Sequence, residues 1–279
     1  MSCPDCNRGS ILAGKPTGSI VKVNGTDAYF APSPPSESAQ SGSNGSVAVV
    51  LLSDAFGLPL VNIKLIADKL ASDLQCDVWV PDLFDGAPLL RVEGMETQLL
   101  PDRPGYSSLW DSFRLIAFVI IPRIGTILRS RPSVGDFRAK QFITAIREDK
   151  KYHKVGGVGY CYGGGAAVRL ATTVDYLDSA VICHPAIISS NSIKEIKIPS
   201  SWVCAEEDSS FSKTARMRAE AVFAERKDSG DAVPYEFVDY KGTVHGFACR
   251  PNLAFEDVKV AFEKSLEQTA AWLRKTLNE

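Results

Sequence analysis

Gly159-Tyr160-Cys161-Tyr162-Gly163 is the stretch of sequence that decides the fold. It follows a short apolar segment at 155–159 that is typical of a buried strand, and it precedes a helical pattern at 166–173. Strand, tight turn and helix in this order indicate a nucleophile elbow, in which side chains two positions from the reactive residue would collide unless they were small. The sequence therefore predicts that Cys161 stands at the carboxyl end of a central strand, where the amino terminus of a helix favours its thiolate form. Taken alone, the string also fits a glycine-rich turn with a buried, unreactive cysteine.

Strand and helix patterns alternate on both sides of this turn. A hairpin-like region comes first, and a continuous apolar run at 47–52 is typical of a strand buried on both faces of a parallel sheet. Further strands are predicted at 77–80, 155–159, 180–183, 201–205 and 235–240, and helices at 63–74, 136–149, 166–173, 212–227 and 255–277. This alternation predicts an α/β fold, a doubly wound and mostly parallel sheet with helices on both faces, in a single domain.

Two segments interrupt the alternation, and a third stands apart. Residues 32–46 are rich in Pro, Ser and Gly, and we expect a flexible surface loop there. The region 85–134 contains an apolar stretch at 113–128, so it fits either an insertion that covers the active site or a helix on the outer layer of the sheet. Cys3 and Cys6 form a lone Cys-x-x-Cys pair that cannot fill a tetrahedral zinc site, and we expect a packed turn rather than a metal or redox site.

The composition limits the class of partner. The formal net charge of −2 leaves no basic surface for nucleic acid or for an anionic membrane. The stretch at 113–128 contains Arg114, Pro122 and Arg123, and it is shorter than the ~20 apolar residues of a membrane span. The seven cysteines are odd in number and scattered, and no secretory signal is visible, so we expect a cytoplasmic protein without a disulfide framework.

A thiol nucleophile needs a base, and the chain offers three histidines. His153 lies in a polar run and is predicted to be a solvated loop residue. His184 follows the predicted strand at 180–183 and is interpreted as a packed, hydrogen-bonded histidine that could lie near the cleft. His245 comes after the last predicted strand and before the last helix, where the base belongs in the chain order nucleophile, acid, histidine. His245 is therefore the predicted base.

The acid that orients this base is expected after the predicted strand at 201–205. Glu206, Glu207 and Asp208 form the loop there. Asp208 fits best because the loop must turn back toward the histidine, and Glu206 and Glu207 remain alternatives. Nucleophile, acid and base in the right order, each at the carboxyl end of a strand, favour a catalytic triad over three unrelated residues.

At these positions the chain resembles the dienelactone hydrolase family, and the similarity runs over nearly its whole length. The residues that carry the resemblance are Gly159-Tyr160-Cys161-Tyr162-Gly163-Gly164, the loop of Asp208, His245-Gly246-Phe247 and, for the fungal branch, Cys3-Pro4-Asp5-Cys6 with Gly14-x-Pro16-x-Gly18. The resemblance implies the α/β-hydrolase fold in one domain over 1–279, with no cofactor and no metal. It also implies a triad of Cys161, His245 and Asp208.

The resemblance assigns further roles around the nucleophile. It implies that the backbone N–H groups of Ala55 and Tyr162 form an oxyanion hole, where each amide is typically worth a few kcal/mol of barrier. It also places Asp54 as an acid beside the resting thiol, where bacterial members of the family carry glutamate. These three positions complete the predicted surroundings of Cys161.

Two positions depart from the family pattern. Members that act on dienelactone bind its carboxylate with two arginines, but this chain has Asp85 and Cys249 at those places, with Arg250 one residue later. An acidic group where a carboxylate anchor belongs would repel a small anionic lactone. We therefore expect a substrate other than dienelactone, in a pocket that includes Asp85, Phe247 and Arg250.

The sequence thus predicts a hydrolase that cleaves an ester, lactone or thioester through an acyl-enzyme on Cys161. A thiol nucleophile favours activated esters such as enol lactones or thioesters. The alternative is a non-hydrolytic cyclase, dehydratase or isomerase of secondary metabolism, with the stretch at 113–128 enclosing a polyketide-like substrate. An inactive binding protein is disfavoured because nucleophile, base and acid are all present. We expect a small-molecule substrate, no nucleic-acid or membrane partner, and a monomer or homodimer.

Overall fold

One sheet organises the computed structural model of the protein, which describes residues 10–35, 46–93, 104, 117, 121–186, 188–228 and 230–278. Its strands are β1 (Ser19–Val23), β2 (Thr26–Ala31), β3 (Val47–Leu52), β4 (Asp77–Pro81), β5 (Lys154–Tyr160), β6 (Ser179–Cys183), β7 (Ser200–Glu207) and β8 (Tyr235–Val244). They lie in the order β1-β2-β4-β3-β5-β6-β7-β8. The hairpin β1–β2 is antiparallel and β2 pairs antiparallel with β4, whereas every pairing from β4 to β8 is parallel. The predicted mostly parallel sheet is confirmed.

Helices cover both faces of this sheet, as predicted. They are α1 (Val61–Leu74), α2 (Ile124–Arg129), α3 (Pro132–Lys150), α4 (Tyr162–Leu170), α5 (Ser190–Lys194), α6 (Lys213–Asp228) and α7 (Glu256–Leu277), with a 3₁₀ turn at Ile121–Arg123. The apolar residues of α1 and α7 pack in one core cluster, and those of α3, α4 and α6 pack in the other. Within the described ranges, no helix is both long and apolar enough to cross a membrane.

The central strand β3 shows why the apolar run at 47–52 is continuous. Val49 and Leu51 belong to the cluster beneath α1 and α7, while Val50 and Leu52 belong to the opposite cluster. Because successive side chains of a strand point to opposite faces, a strand covered on both sides must be apolar at every position. Its residues are accordingly almost fully buried.

Two element boundaries differ from the sequence-based expectation. Helix α4 begins at Tyr162, directly after Cys161, rather than at residue 166. Its first turn is rich in glycine, a poor helix former, so the pattern of the sequence concealed the start. Strand β7 extends to Glu207 through a register shift against β8, so Glu206 and Glu207 belong to the strand and the predicted loop begins at Asp208.

Several predicted segments lie partly or wholly outside the described residues. Residues 36–45 of the expected loop at 32–46 are among them, as are Cys3 and Cys6. Of the region 85–134, the structure describes 85–93, two single positions and everything from 121 onward. In that last part, the guanidinium of Arg123 donates a hydrogen bond to the carbonyl oxygen of Leu89 at 2.7 Å and joins both ends of the region.

Candidate active site

The turn at Cys161 has the geometry of a nucleophile elbow. Cys161 has φ 51° and ψ −108°, a strained conformation that residues other than glycine rarely adopt. A Cβ atom on Gly159 would lie 2.2 Å from the carbonyl oxygen of Gly163, and one on Gly163 would lie 2.0 Å from that of Leu52. The close approach of strand and helix therefore requires both glycines, as expected from the sequence.

Backbone hydrogen bonds from both neighbouring strands hold this elbow. The N–H of Cys161 donates to the carbonyl oxygen of Cys183 at 3.1 Å, and the N–H of Ala186 donates to the carbonyl oxygen of Cys161 at 2.9 Å. On the other side, the N–H of Gly163 donates to the carbonyl oxygen of Ser53 at 3.0 Å. These bonds fix the half-buried Cys161 at the carboxyl edge of the sheet, between the ends of β3 and β6.

Asp208 and His245 meet at the same edge. The Nδ1 atom of His245 lies 2.8 Å from Oδ2 of Asp208, and the Asp208 side chain is almost fully buried. The other carboxylate oxygen of Asp208 accepts hydrogen bonds from the backbone N–H groups of Ser210 at 2.8 Å and Phe211 at 3.0 Å. Of the three acids considered from the sequence, Asp208 is thus the one that bonds the histidine. Glu206 is exposed and accepts instead from the N–H of Gly242 at 2.7 Å.

The pKa values of this pair reflect their mutual contact and that of Cys161. Burial lowers the pKa of His245, but charge and hydrogen bonding from Cys161 and Asp208 outweigh burial and raise it to about 10. Burial raises the pKa of Asp208, but the hydrogen bond and charge of His245 hold it below its usual value. These contacts therefore favour the protonated form of the His245 imidazole.

The two amides predicted for the oxyanion hole, those of Ala55 and Tyr162, have similar surroundings in the described part of the chain. Among the described residues, neither the N–H of Ala55 nor that of Tyr162 donates a hydrogen bond, although their neighbours do. The N–H of Phe56 donates to Oδ1 of Asp54 at 3.0 Å. Tyr162 is the first residue of α4, and an amide at that position has no acceptor within its own helix. Both groups can therefore receive an oxyanion without breaking an existing bond.

Asp54, predicted to lie beside the resting thiol, forms a buried ion pair with Arg250. Its Oδ2 atom lies 3.0 Å from Nε of Arg250 and accepts from the thiol of Cys249 at 3.5 Å. Arg250 is buried and its guanidinium lies 5.2 Å from the ring centroid of Phe56. Cys161 influences the pKa of both Arg250 and Cys249, so this buried ion pair lies close to Cys161.

The residues predicted for the substrate pocket occupy three different environments. The Asp85 side chain is 82% exposed and faces Arg138 at 3.5 Å. Phe247 is buried in the core against Tyr240, with 5.2 Å between ring centroids. Arg250 is committed to the ion pair with Asp54. A substrate carboxylate therefore meets no unpaired arginine at these positions.

His184 lies closer to the predicted base than the sequence interpretation indicated. It is packed, as expected, and its ring centroid lies 5.1 Å from that of His245. The expectation of a hydrogen-bonded side chain is wrong, because neither ring nitrogen has a partner among the described residues. The one feature of the sequence that could have indicated this proximity was the position of His184 at the carboxyl end of β6, because residues at this edge of the sheet lie close together. His153 is an exposed residue after α3, as interpreted.

Comparison with known proteins agrees with this architecture. Residues 37–277 match the model of the "Dienelactone hydrolase family". The chain is 29% identical to "Hydrolase pyvD" of Aspergillus violaceofuscus, covering 98% of this chain and 96% of that protein. It is 26% identical to "Dienlactone hydrolase 1" of Gibberella moniliformis, covering 96% and 91%. A solved dienelactone hydrolase-like promiscuous phosphotriesterase, P91, from metagenomic libraries superimposes with a TM-score of 0.61 at 18% identity, covering 93% and 98%.

Proposed function

The chain belongs to the dienelactone hydrolase family and is a carboxylic ester or lactone hydrolase, and on this premise we propose that Cys161 attacks the substrate as part of a triad with His245 and Asp208. One observation carries the proposal. The Nδ1 atom of His245 lies 2.8 Å from the buried Asp208 carboxylate, while Cys161 raises the pKa of the same imidazole. A nucleophile, its base and an orienting acid in mutual contact are the arrangement that acyl transfer requires.

The first half-reaction forms an acyl-enzyme. His245 accepts the thiol proton, and the thiolate of Cys161 attacks the carbonyl carbon of the substrate. The electron pair of the C=O bond moves to oxygen, and the resulting oxyanion accepts hydrogen bonds from the N–H groups of Ala55 and Tyr162. When the intermediate collapses, the bond to the leaving group breaks, and the leaving oxygen or sulfur takes the proton from His245. The acyl group is then held as a thioester on Cys161.

The second half-reaction returns the enzyme to its starting state. His245 removes a proton from water, and the oxygen attacks the thioester carbonyl. The same two amides stabilise the second oxyanion. The bond to sulfur breaks, the thiolate of Cys161 recovers the proton from His245, and the carboxylic acid leaves. Asp208 keeps its hydrogen bond to Nδ1 throughout, so that Nε2 of His245 serves both steps.

The substrate is proposed to be an activated ester, an enol lactone or a thioester without the carboxylate of dienelactone. Asp85 is exposed and negative, and Arg250 is neutralised by Asp54, so neither favours a free carboxylate. The non-hydrolytic alternative depended on the stretch at 113–128, of which the structure describes residue 117 and residues 121–128. The name "hydrolase" of the fungal relative supports the hydrolytic proposal.

Replacement of the nucleophile tests this function. We expect Cys161→Ala to lower kcat for p-nitrophenyl acetate at least ~10³-fold, because the acyl-enzyme cannot form. The matched control is Cys76→Ala, since Cys76 is buried just before β4 at the opposite end of the strands. This control should retain kcat within about twofold, the range of variants outside a catalytic unit. A folded Cys161→Ala protein with wild-type turnover would overturn the proposal.

A further inference from the structure

His184 stands on the turn that supports the nucleophile. It lies between Cys183, whose carbonyl accepts from the N–H of Cys161, and Ala186, whose N–H donates to the carbonyl of Cys161. Its own N–H donates to the carbonyl oxygen of Val203 in β7 at 2.9 Å. His184 also has φ 35°, a conformation that residues other than glycine seldom adopt. Hydrogen bonds of neighbouring residues and of its own N–H therefore hold the backbone of His184 in a strained conformation directly beside the elbow.

The ring of His184 packs edge-to-face against the ring of His245. The two centroids are 5.1 Å apart and the planes make an angle of 63°. On its other sides, His184 is enclosed by Phe247 at 6.0 Å and Tyr160 at 6.1 Å, and it is fully buried. The hydrogen bond to Asp208 fixes one nitrogen of His245, but the terminal torsion of a histidine is otherwise broad. A rigid ring against its side restricts that torsion.

The imidazole of His184 forms no hydrogen bond with another residue in the part of the chain that the structure describes. Both ring nitrogens are fully buried, and neither has a hydrogen-bond partner in another described residue. An apolar side chain would fill the same space without removing two polar atoms from water. Buried polar atoms without a partner are uncommon, and where they occur a catalytic role is one of the recognised explanations. The nearest functional group is His245.

The charges around His184 keep it neutral. Burial lowers the pKa of His184 well below its ordinary value, and His245 and Arg250 lower it further. Asp208 and the backbone of His184 itself act in the opposite direction but do not outweigh burial. The other titratable groups in contact, Tyr160 and Cys183, are buried and have raised pKa values, so they stay uncharged. A charged His245 therefore meets an uncharged ring and no second imidazolium.

We propose that His184 is a positioning residue whose uncharged ring holds the imidazole of His245 in line between Asp208 and Cys161. This role rests on the proposed function, because it serves the proton transfers assigned to His245. The ring acts by contact and neither takes nor gives a proton. Loss of the ring should therefore lower kcat, while substrate binding, which does not involve His184, should persist.

Three variants separate the ring from its nitrogens. His184→Ala removes the ring, His184→Phe keeps a ring without nitrogens, and His153→Ala is the control because His153 is exposed after α3. For His184→Ala we expect kcat to fall about tenfold or more with KM within about twofold, as for a misplaced catalytic group. His184→Phe should recover most of the lost kcat, and His153→Ala should match the wild type.

NMR spectroscopy supplies a readout independent of turnover, since the chain has only three histidines. In the wild type, the His184 signal should not titrate near the ordinary histidine value, because the pKa of His184 is lowered well below it. In His184→Ala, the His245 midpoint should fall from about 10 toward its ordinary value, because the imidazole is no longer held against Asp208 and Cys161.

Defined results would overturn the role of His184. One is a folded His184→Ala protein with wild-type kcat and an unchanged His245 midpoint. Another is a folded His184→Phe protein as impaired as His184→Ala, which would assign the effect to the nitrogens. If His184→Phe does not fold, a wild-type His184 signal that titrates near pH 6.5 would overturn the proposal by itself. Wild-type turnover in Cys161→Ala would instead overturn the assignment of Cys161 as the nucleophile, and the NMR result would still stand.

Discussion

The hydroxyl of Tyr162 donates a hydrogen bond to the carbonyl oxygen of Ser130 at 2.8 Å. Tyr162 follows Cys161 and begins α4, whereas Ser130 lies between α2 and α3. The ring of Tyr162 also packs against Phe84, with 5.0 Å between centroids. The side chain of Tyr162 thus fixes the position of its own backbone N–H, which is proposed to bind the oxyanion.

Removal of this hydroxyl should loosen the oxyanion hole. We expect Tyr162→Phe to lower kcat about three- to tenfold with little change in KM, because the amide acts mainly on the transition state. It should also lower the free energy of unfolding by about 1–2 kcal/mol, since the buried carbonyl of Ser130 loses a donor. Steady-state kinetics and urea unfolding measure the two effects. Tyr29→Phe, which breaks a hydrogen bond to Asp68, is the control and should lose stability while keeping kcat.

Replacing the proposed triad acid should distinguish the role of Asp208 from the roles of Glu206 and Glu207. For Asp208→Asn we expect kcat to fall about 10²–10⁴-fold, because the amide can hold the imidazole in the wrong tautomer. The pKa of His245 should fall as well, since Asp208 is one of the groups that raise it. The matched variants Glu206→Gln and Glu207→Gln should keep kcat within about twofold. A large loss in either would transfer the role of the acid to that residue.

The raised pKa of His245 predicts how stability depends on pH. Its folded pKa is about 10 and its ordinary value is 6.5, so charged His245 stabilises the folded state fully below pH 6.5. That contribution is lost as pH rises from there through about 10. Urea unfolding of wild type and His245→Asn should therefore differ most near pH 6 and converge near pH 10.5. A difference that grows with pH over this interval would contradict the assigned shift. Asp208 is expected to act in the opposite range, because its pKa is lowered and its contribution is lost in acid.

The buried pair Asp54–Arg250 should show strong energetic coupling. We expect Asp54→Asn or Arg250→Met alone to cost about 3–5 kcal/mol, because each leaves an uncompensated buried charge. The double variant should cost less than the sum of both, with a coupling of about 1–3 kcal/mol in a double-mutant cycle. The exposed pair Lys22–Asp27 is the control and should couple by less than about 1 kcal/mol. Additive effects at Asp54 and Arg250 would contradict the contact.

The parts of the fold that the sequence predicted well are those with a local physical signature. The run at 47–52 is apolar throughout because both faces of β3 are covered. The elbow needs Gly159 and Gly163 because a Cβ atom on either residue would collide with a neighbouring backbone oxygen. The chain order nucleophile, acid, histidine then identified Asp208 and His245 as candidates, because parallel strands bring their carboxyl ends to one edge of the sheet.

The parts that escaped prediction depend on contacts between distant segments. Asp54 and Arg250 are 196 residues apart, and nothing local to either one indicates the ion pair. The extension of β7 through Glu206 and Glu207 depends on a register shift against β8, and acidic residues are disfavoured in strands. The unbonded ring of His184 likewise follows from three-dimensional packing. Such features become visible only when the tertiary contacts are known.

Capture of the acyl-enzyme tests the central claim most directly. The wild type and Cys161→Ala would be mixed briefly with p-nitrophenyl acetate, quenched in acid, digested and analysed by mass spectrometry. We predict one acetyl group on the peptide that contains Cys161 in the wild type, and none at that position in the variant. An unlabelled Cys161 in a protein that is turning over substrate, or an acetyl group on another residue that persists in Cys161→Ala, would contradict the assignment of Cys161 as the nucleophile.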